Sequence, residues 1–239
     1  MDTPYNISLT VFFPCYNEEA NITPLVRETV GILSTLVKTH EILIVNDGST
    51  DNTGPIADSL SAEYEHVRVI HHRTNKGYGG ALVSGFANAA YDWVFFTDGD
   101  NQFSMQEIGL LLNEIKNHDV VIGFRKARKD PFHRKLYAKT WNILIRLLLG
   151  LTIKDLNCAF KLMKKSALAG TSLRSSGAMI SAELLLKVKL SGARIKEVGV
   201  SHKPRLFGRQ TGGNPKVILR ALVELLRLYK AYRFTPGEK

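Results

Sequence analysis

The segment VFFTDGDNQF, residues 94–103, joins an uninterrupted apolar run to an acidic motif in this 239-residue chain. The apolar run is typical of a strand that is buried on both faces of a sheet. Asp98 and Asp100 follow it directly, separated by Gly99. In extended backbone, side chains two residues apart point the same way, so we expect these carboxylates, with Gln102 after them, to face one point.

Two facing carboxylates repel each other unless a cation lies between them. Mg²⁺ typically binds one or two carboxylates together with phosphate oxygens of a substrate, so Asp98 and Asp100 indicate a divalent ion that arrives with a diphosphate. Gly99 has no side chain, and we expect it to let a ligand approach the main chain closely. The alternative is that DGDN is only a turn, because Asp-Gly is a common turn dipeptide.

A unit of short apolar run, polar turn and helical segment repeats through residues 1–123. This alternation predicts an open, mostly parallel, twisted α/β sheet flanked by helices, similar to a Rossmann fold. The predicted strands are LTVFFP, EILIVND, VRVIHH, WVFFTD and DVVIGF, and the predicted helices are 21–37, 52–64, 80–90 and 104–117. Ligands of such sheets bind outside the carboxyl ends of the strands. The polar motifs PCYNEE, NDGSTD, HRTNKGYGG and TDGDNQ all lie at those ends.

After residue 123 the regular pattern stops. A helix is predicted near residues 134–149 and another over 178–191, with strands at CAFKLM and IKEVGVSH and a last helix after the loop KPRLFGRQTGGNPK. Two of these helices are basic and amphipathic: KLYAKTWNILIRLLLGL and KVILRALVELLRLYKAYRF. Such helices can lie in the plane of an anionic membrane surface. Core packing is the usual explanation for either helix alone, and the apolar faces could equally form a homo-oligomer contact. For the two helices together, we expect the membrane interface.

The net charge of +10 is unevenly distributed. Residues 1–120 contain 6 Lys+Arg and 16 Asp+Glu, a net −10, whereas residues 121–239 contain 26 and 6, a net +20. A basic half of this size fits nucleic acid, an anionic membrane or a phosphorylated substrate, or is merely a solvated surface. The N-terminus does not resemble a secretory signal, and the longest apolar patch is well short of the roughly 20 residues that span a bilayer. We therefore expect a cytoplasmic protein without a transmembrane segment, peripherally associated with the cytoplasmic face of a membrane.

A glycine-rich motif and several single residues indicate which ligands the chain could bind. NKGYGGAL begins a helix after a strand, and its N–H groups suit an anion, but it lacks the third glycine of the dinucleotide fingerprint. Asp47, at the end of the second strand, offers acceptor oxygens that can receive a base N–H. Cys15 and Cys158 are expected to be buried small hydrophobes. His71, His72 and His202 have no ligand-spaced partners, so a zinc site is not expected.

The motifs PCYNEEANI, VNDGSTDNT, NKGYGGAL and TDGDNQF, in this order and spacing, resemble the family 2 glycosyltransferases with the A-type glycosyltransferase fold. The segments GFR, DLNCAFKLM, SAELLLK and PRLFGRQ resemble the branch that makes dolichyl- or polyprenyl-phosphate sugars, and the resemblance covers about residues 8–214. It departs from that branch at Gly208, Arg209 and Gln210, where the branch usually has Gly-x-Ser, which leaves the head group of the acceptor open.

The resemblance implies a role for each matching position. It implies an inverting, metal-dependent enzyme that transfers one sugar from a UDP- or GDP-linked donor to a polyprenyl phosphate, with Mg²⁺ or Mn²⁺ as cofactor. The nucleotide-binding residues would be Pro14, Tyr16, Glu18, Asp47, Lys76, Gly77, Asp98 and Gly99. The metal ligands would be Asp98, Asp100 and Gln102, and the acceptor phosphate would meet Arg125, Arg134, Arg205 and Arg209.

A base is needed only if the acceptor is a hydroxyl, because a phosphate acceptor has no proton to lose. Glu183 lies near the position of the base in hydroxyl-using relatives, and Asp155 is the other candidate. The catalytic residues implied are thus Asp98, Asp100, Arg125 and Glu183. A soluble glycosyltransferase with a hydroxyl acceptor is the alternative, and a catalytically silent nucleotide- or nucleic-acid-binding module is a third hypothesis that does not explain the paired carboxylates.

The chain is expected to divide into a catalytic domain, residues 1–214, and a C-terminal amphipathic helix with a tail, residues 215–239. Within the catalytic domain, residues 1–123 would form the nucleotide-binding half and residues 124–214 the acceptor half.

Overall fold

The central sheet contains seven strands in the order β3-β2-β1-β4-β6-β5-β7. The computed structural model describes residues 5–126, 132–169, 172–175, 177, 179–205, 207 and 215–234. The strands are β1 (Tyr5–Cys15), β2 (Val37–Asn46), β3 (Val67–His71), β4 (Trp93–Thr97), β5 (Val120–Arg125), β6 (Phe160–Lys164) and β7 (Ile195–Val200). The helices are α1 (Glu19–Leu36), α2 (Thr53–Glu63), α3 (Gly77–Asn88), α4 (Ile108–Leu112), α5 (Phe132–Leu149), α6 (Ile180–Leu190) and α7 (Pro215–Phe234), with 3₁₀ turns at Met105–Glu107 and Lys165–Leu168.

The strands of the described ranges all run in one direction except β6, which is antiparallel to both β4 and β5. The mostly parallel α/β sheet is therefore confirmed, as are the strands predicted at CAFKLM and IKEVGVSH. Since the parallel strands end at the same edge of the sheet, the polar motifs that follow β1, β2, β3 and β4 meet there.

The helix predicted over residues 104–117 is shorter than expected. A 3₁₀ turn at Met105–Glu107 leads into α4, which ends at Leu112, and residues 113–117 form turns. Met105, Ile108 and Leu111 are buried against the sheet, whereas the residues after Leu112 are partly or fully exposed. The helix ends where its buried face ends, because packing of an apolar face supplies most of the stability of a short helix.

Hydrophobic cores lie on both faces of the sheet. One contains the inner faces of α1 and α2 with Phe13 and Phe95 from the strands, and the other contains residues of α3, α5, α6 and α7 with Phe12 and Phe96. Phe12 and Phe96 stack at a centroid distance of 5.4 Å, and the ring of Phe86 meets both edge-on. This double burial explains the continuous apolar runs within the central strands β1, β2 and β4.

Within the described ranges, none of the helices has the length and apolar composition needed to cross a bilayer. Cys15 and Cys158 are free thiols and both are buried, as expected for small hydrophobes.

Candidate active site

The loops that follow β1 and β2 are tied together at the carboxyl edge of the sheet. The backbone N–H of Asp47 donates to the carbonyl of Cys15 at 2.8 Å, and the N–H of Asn17 donates to Ser49 Oγ at 3.0 Å. Pro14, at the end of β1, is buried, whereas the ring of Tyr16 is 47% exposed. The predicted nucleotide-binding positions of these two motifs thus share one edge, with an exposed aromatic ring beside them.

Gly99 lies against the end of β1. A Cβ atom at this position would lie 2.7 Å from Cys15 Sγ and 3.3 Å from the carbonyl oxygen of Pro14. The absent side chain therefore allows the loop after β4 to pack on β1, which is a different reason from the ligand approach that we expected. The contact brings the acidic motif beside the first nucleotide-binding motif.

The acidic motif is a turn and not extended backbone. Strand β4 ends at Thr97, a turn follows at residues 99–100, and Asn101 has a left-handed φ of 56°. The expected alternation of side chains is therefore wrong, but the turn still brings the two carboxyl groups within electrostatic range. Burial, and then the charge of Asp100, raise the pKa of Asp98 to about 7. Burial also raises the pKa of Asp100.

Several oxygen atoms of this turn lack a partner in the described structure. Asp98 Oδ1, Asn101 Oδ1 and Thr97 Oγ1 are buried without a hydrogen bond. Buried polar atoms are normally satisfied, so unpartnered oxygens beside two mutually repelling carboxylates fit a bound cation. No group of three His, Cys, Asp or Glu side chains in the described ranges forms a metal cluster, but Mg²⁺ needs only one or two carboxylates when phosphate oxygens complete its shell.

Gln102 links the acidic turn to the segment after β7. Its Nε2 donates to the carbonyl of Lys203 at 2.9 Å, while the N–H of Lys203 donates to the carbonyl of Gln102 at 2.8 Å. The N–H of Gln102 also donates to Asp100 Oδ1 at 3.2 Å. These bonds use the amide nitrogen of Gln102, so its oxygen is the atom suited to the predicted metal contact.

Arg205 lies two residues after Lys203 and reaches into the acidic turn. Its Nη2 lies 2.6 Å from Glu18 Oε1 and its Nη1 lies 3.3 Å from Asp100 Oδ2. Glu18 Oε2 accepts a further hydrogen bond from Asn21 Nδ2 at 2.7 Å. Glu18, predicted to line the nucleotide pocket, is thus engaged in holding an arginine that was predicted to meet the acceptor.

Tyr78 was not among the predicted site residues. Its hydroxyl donates a hydrogen bond to Asp98, and burial raises the pKa of Tyr78 well above its usual value, so the hydroxyl stays protonated. Tyr78 follows Gly77, which has a left-handed φ of 80° and begins α3. The signal that could have identified it is a hydroxyl-bearing side chain inside the glycine-rich motif, at the edge of the sheet where the acidic motif also lies.

Asp47 is held by a second unpredicted residue, His72. His72 Nδ1 lies 2.6 Å from Asp47 Oδ1, and the backbone N–H of Lys76 donates to the same oxygen at 2.9 Å. The side chain of Lys76 itself is exposed. The signal in the sequence is a histidine that directly follows β3, because β3 pairs in parallel with β2 and the carboxyl ends of the two strands therefore lie side by side.

Arg125, at the end of β5, forms a bidentate ion pair with Asp155. The distances are 2.6 Å from Nε to Oδ2 and 2.8 Å from Nη2 to Oδ1, and both side chains are largely buried. Lys161 lies within electrostatic range of this pair, is fully buried and donates to the carbonyls of Leu156 and Cys158. Burial lowers the pKa of Lys161.

Glu183 caps a loop in the described structure. Its carboxylate accepts the N–H groups of Arg174, at 2.9 and 3.0 Å, and of Ser175, at 2.7 Å, and Lys187 Nζ lies 3.3 Å away. These bonds to Ser175, Arg174 and Lys187 outweigh burial and lower the pKa of Glu183. A carboxylate with this set of partners is a poor proton acceptor.

Two predicted phosphate-binding arginines cannot be placed with the others. Arg209 lies outside the described residues, together with Gly208 and Gln210. Arg134 lies on the first turn of α5, but its side chain is also outside the described part of the chain.

Comparisons with known proteins agree with this geometry. Residues 10–170 match the model of glycosyl transferase family 2. An undecaprenyl-phosphate mannosyltransferase of Micrococcus luteus is 29% identical over 92% of this chain and 93% of its own length. A dolichol-phosphate mannosyltransferase of Pyrococcus furiosus is 33% identical over 92% of this chain, which spans 62% of that protein.

Solved structures of glucosyl-3-phosphoglycerate synthase from Mycobacterium tuberculosis share the fold. The complex with phosphoglyceric acid has a TM-score of 0.72 at 20% identity, covering 93% of this chain and 80% of that one. The complex with Mn²⁺, UDP and glucosyl-3-phosphoglycerate has a TM-score of 0.71 at the same identity and coverage. The sheet order, the acidic turn and the family match lead to one conclusion: the chain has the A-type glycosyltransferase fold and belongs to glycosyl transferase family 2.

Proposed function

We propose that this chain transfers a single sugar from a nucleotide-sugar donor to a polyprenyl phosphate of the dolichyl or undecaprenyl type, inverting the anomeric centre. The observation that carries the proposal is the engagement of both candidate bases. Asp155 is bound by Arg125, and Glu183 is bound by three backbone contacts and Lys187. A hydroxyl acceptor needs a base, whereas a phosphate acceptor is already anionic. The names of the two mannosyltransferase relatives support the same acceptor class.

On the donor side, Asp98, Asp100 and the amide oxygen of Gln102 would hold Mg²⁺ or Mn²⁺. When bound, such an ion supplies positive charge against the phosphates of the leaving nucleoside diphosphate. Asp47 would accept a base N–H, and Tyr16 offers an exposed ring beside it. The remaining nucleotide-binding positions proposed are Pro14, Glu18, Lys76, Gly77 and Gly99.

On the acceptor side, Arg125 and Arg205 would orient the lipid phosphate, together with Arg134 and Arg209. The guanidinium group has five N–H donors and stays charged at all working pH values, so Arg205 can reach a phosphate oxygen while it also holds Glu18 and Asp100. Arg205 lies 3.3 Å from Asp100, so a phosphate held by Arg205 would sit next to the metal-binding turn. In the reaction, a phosphate oxygen attacks the anomeric carbon as the bond to the diphosphate breaks on the opposite face. No proton has to be removed.

We further propose that α5 and α7 place the site at an anionic membrane surface. The two helices contact each other, and both expose apolar side chains: Ile143 at 50%, Leu147 at 76% and Leu226 at 54%. The exposed cations Arg146 and Arg227 lie on the same helices. This combination is typical of helices that lie in a membrane interface. The division into a nucleotide half, an acceptor half and a C-terminal helix belongs to the same proposal, as does a location on the cytoplasmic face.

The test is a transfer assay with purified protein, a panel of UDP- and GDP-linked sugars, polyprenyl phosphate and Mn²⁺. A glycolipid product with at least one donor is expected, and none with Asp98→Asn or Asp100→Asn. A soluble hydroxyl-bearing acceptor should not replace the lipid phosphate. Transfer to such an acceptor, with none to the lipid phosphate, would overturn the proposal.

A further inference from the structure

A buried hydrogen-bonded line runs from Asp47 through His72 to Ser84. His72 Nδ1 lies 2.6 Å from Asp47 Oδ1, and His72 Nε2 lies 2.8 Å from Ser84 Oγ. The side chains of His72 and Asp47 are only 3% and 4% exposed. An ionised carboxylate has no proton to give, so the Nδ1 atom of His72 must be the donor. The hydroxyl of Ser84 then holds the other side of the imidazole ring.

These contacts fix the Oδ1 atom of Asp47 and leave its Oδ2 atom available as an acceptor. The Nδ1–H of His72 and the backbone N–H of Lys76 both donate to Oδ1. None of the described residues donates to Oδ2 within hydrogen-bond distance. The backbone of Asp47 is fixed as well, because its N–H donates to the carbonyl of Cys15 at 2.8 Å. Asp47 therefore has one anchored oxygen and one remaining acceptor, in a carboxylate that cannot rotate.

We infer that His72 is a positioning residue: it locks Asp47 so that Oδ2 selects donor nucleobases that carry a ring N–H, as uracil and guanine do, over cytosine and adenine. The inference rests on the proposed use of a nucleotide donor and adds the residue that sets its base selectivity. Cytosine and adenine present a lone pair at the corresponding ring nitrogen. A fixed carboxylate oxygen can only accept, so it repels that lone pair and leaves both groups without a hydrogen bond.

The lock matters because a carboxylate that can move loses this discrimination. Without the His72 donor, Asp47 keeps only the Lys76 N–H, and its side chain can swing back and admit a water molecule between itself and the base. Water both donates and accepts, so a water-mediated contact tolerates either kind of ring nitrogen. The position of Asp47, and not merely its charge, thus carries the selectivity.

His71 provides a matched control. It precedes His72 and also pairs with polar groups: its Nδ1 lies 3.0 Å from Asn46 Nδ2 and its Nε2 lies 2.9 Å from Asp58 Oδ1. Its side chain is 42% exposed and is hydrogen-bonded to residues other than Asp47. A change at His71 should disturb the same strand end without releasing Asp47.

The experiment measures binding of UDP, CDP, GDP, ADP and inorganic diphosphate by calorimetry, each with Mn²⁺. Wild-type protein should prefer UDP to CDP, or GDP to ADP, by about tenfold or more. His72→Phe keeps a ring of similar size without a donor, and it should reduce that ratio about tenfold while inorganic diphosphate binds as before. His72→Asn, whose amide nitrogen can replace Nδ1, should retain most of the ratio, and His71→Phe should retain all of it.

Two results would overturn the inference. One is an unchanged base ratio in folded His72→Phe, and the other is an equal loss for every ligand including inorganic diphosphate, which would indicate a purely structural role. If His72→Phe does not fold, Ser84→Ala provides the test, because it removes the hydrogen bond on the other side of the imidazole ring. The base-preference ratio should then fall about threefold. An unchanged ratio in Ser84→Ala would refute the inference.

A failure of the proposed function would give a different experimental result from a failure of this inference. If wild-type protein binds no nucleoside diphosphate, the donor assignment is wrong whatever the His72 variants do. If it binds UDP and CDP equally, and GDP and ADP equally, the donor class stands and the base lock is wrong.

Discussion

Glu18 Oε1 accepts a hydrogen bond from Arg205 Nη2 at 2.6 Å, across 187 positions of sequence. The contact joins the loop after β1 to the segment after β7, and the second arm of Arg205 extends it to Asp100. Burial is the largest effect on the Glu18 carboxyl and raises its pKa, with Asn21 and Arg205 opposing that rise. Arg205 therefore partly offsets the effect of burial on Glu18 and Asp100, although the pKa of each carboxyl stays raised.

Glu18→Gln should weaken the placement of Arg205 without removing it. The glutamine oxygen can still accept from the guanidinium, but the charge that strengthens the bond is lost. We expect the KM for polyprenyl phosphate to rise about tenfold, with a smaller change in the affinity for the nucleotide, as measured by initial rates and calorimetry.

Glu63→Gln is the matched control for this change. It breaks an ion pair of Glu63 with Arg27 in which both side chains are about half exposed, and exposed pairs contribute little. An equal rise in KM for both variants would show that the Glu18 effect is not specific to the site.

Glu183→Gln should lower the stability of the fold while leaving catalysis largely intact. Glutamine places an NH₂ group where the carboxylate now accepts the N–H groups of Arg174 and Ser175, so at least one partly buried hydrogen bond is lost. We expect a loss of about 1–3 kcal/mol in the free energy of unfolding, measured by denaturant titration, with kcat largely retained. A folded variant with kcat reduced by a thousandfold or more (on the scale expected for loss of a general base) would instead identify Glu183 as the base.

The central strands could be predicted because their burial on both faces is visible in the sequence. WVFFT is a continuous apolar run, and β4 is buried along its whole length between two cores. The polar motifs follow from the same logic, since parallel strands in an α/β sheet carry ligands at their carboxyl ends. The acidic pair was also identifiable, although its geometry was not, because the left-handed φ of Asn101 turns the backbone away from the extended form.

Other site features depend on contacts between distant segments. Nothing near Arg205 indicates that it meets Glu18, and nothing near Glu183 indicates that a loop nine residues earlier supplies N–H groups to it. Lys161 is a single lysine in an apolar strand, and its burial follows only from the antiparallel position of β6 between β4 and β5. Sequence patterns report periodicity, and these residues depend on tertiary pairing.

The raised pKa of Asp98 predicts a specific pH dependence in a chelator. Because its pKa is about 7 in the folded protein and 3.8 ordinarily, the folded state keeps a proton that the unfolded state has lost between these values. The free energy of unfolding should therefore fall as pH rises through that window, by at most about 1.4 kcal/mol per pH unit from this group. Denaturant titrations in EDTA from about pH 5 to pH 8 measure the slope.

Asp98→Asn removes this contribution and also the charge that Asp98 places beside Asp100, so the slope difference between the two proteins reports the titration of this carboxyl pair. The variant should have the flatter profile. A divalent ion has to replace the same proton, so the affinity of wild-type protein for Mn²⁺ with nucleotide should increase with pH over the same range. Parallel slopes for wild-type and variant protein would contradict the assignment.

The exposed leucines of α5 and α7 predict binding to anionic vesicles. Leu147 is 76% exposed and Leu226 is 54% exposed, so replacing both by aspartate should leave the core unchanged. Burial of the exposed part of each leucine in a membrane interface would contribute roughly 1–2 kcal/mol, and the new charges would be repelled by an anionic surface. We expect the double variant to lose most co-sedimentation with vesicles that contain phosphatidylglycerol, while its melting temperature and nucleotide affinity are retained.

Leu110→Asp is the control for the vesicle experiment. Leu110 is 39% exposed on α4, whose buried residues belong to the other core, so this change should not affect co-sedimentation. Wild-type binding should also weaken as salt rises, because the cations beside the leucines act through screened attraction. If the wild-type protein is instead a dimer that ignores vesicles, and the double variant is a monomer, the apolar surface of α5 and α7 joins two copies of this chain. In that case the acceptor would have to reach the arginines from solution, and the proposed membrane position of the site would be wrong.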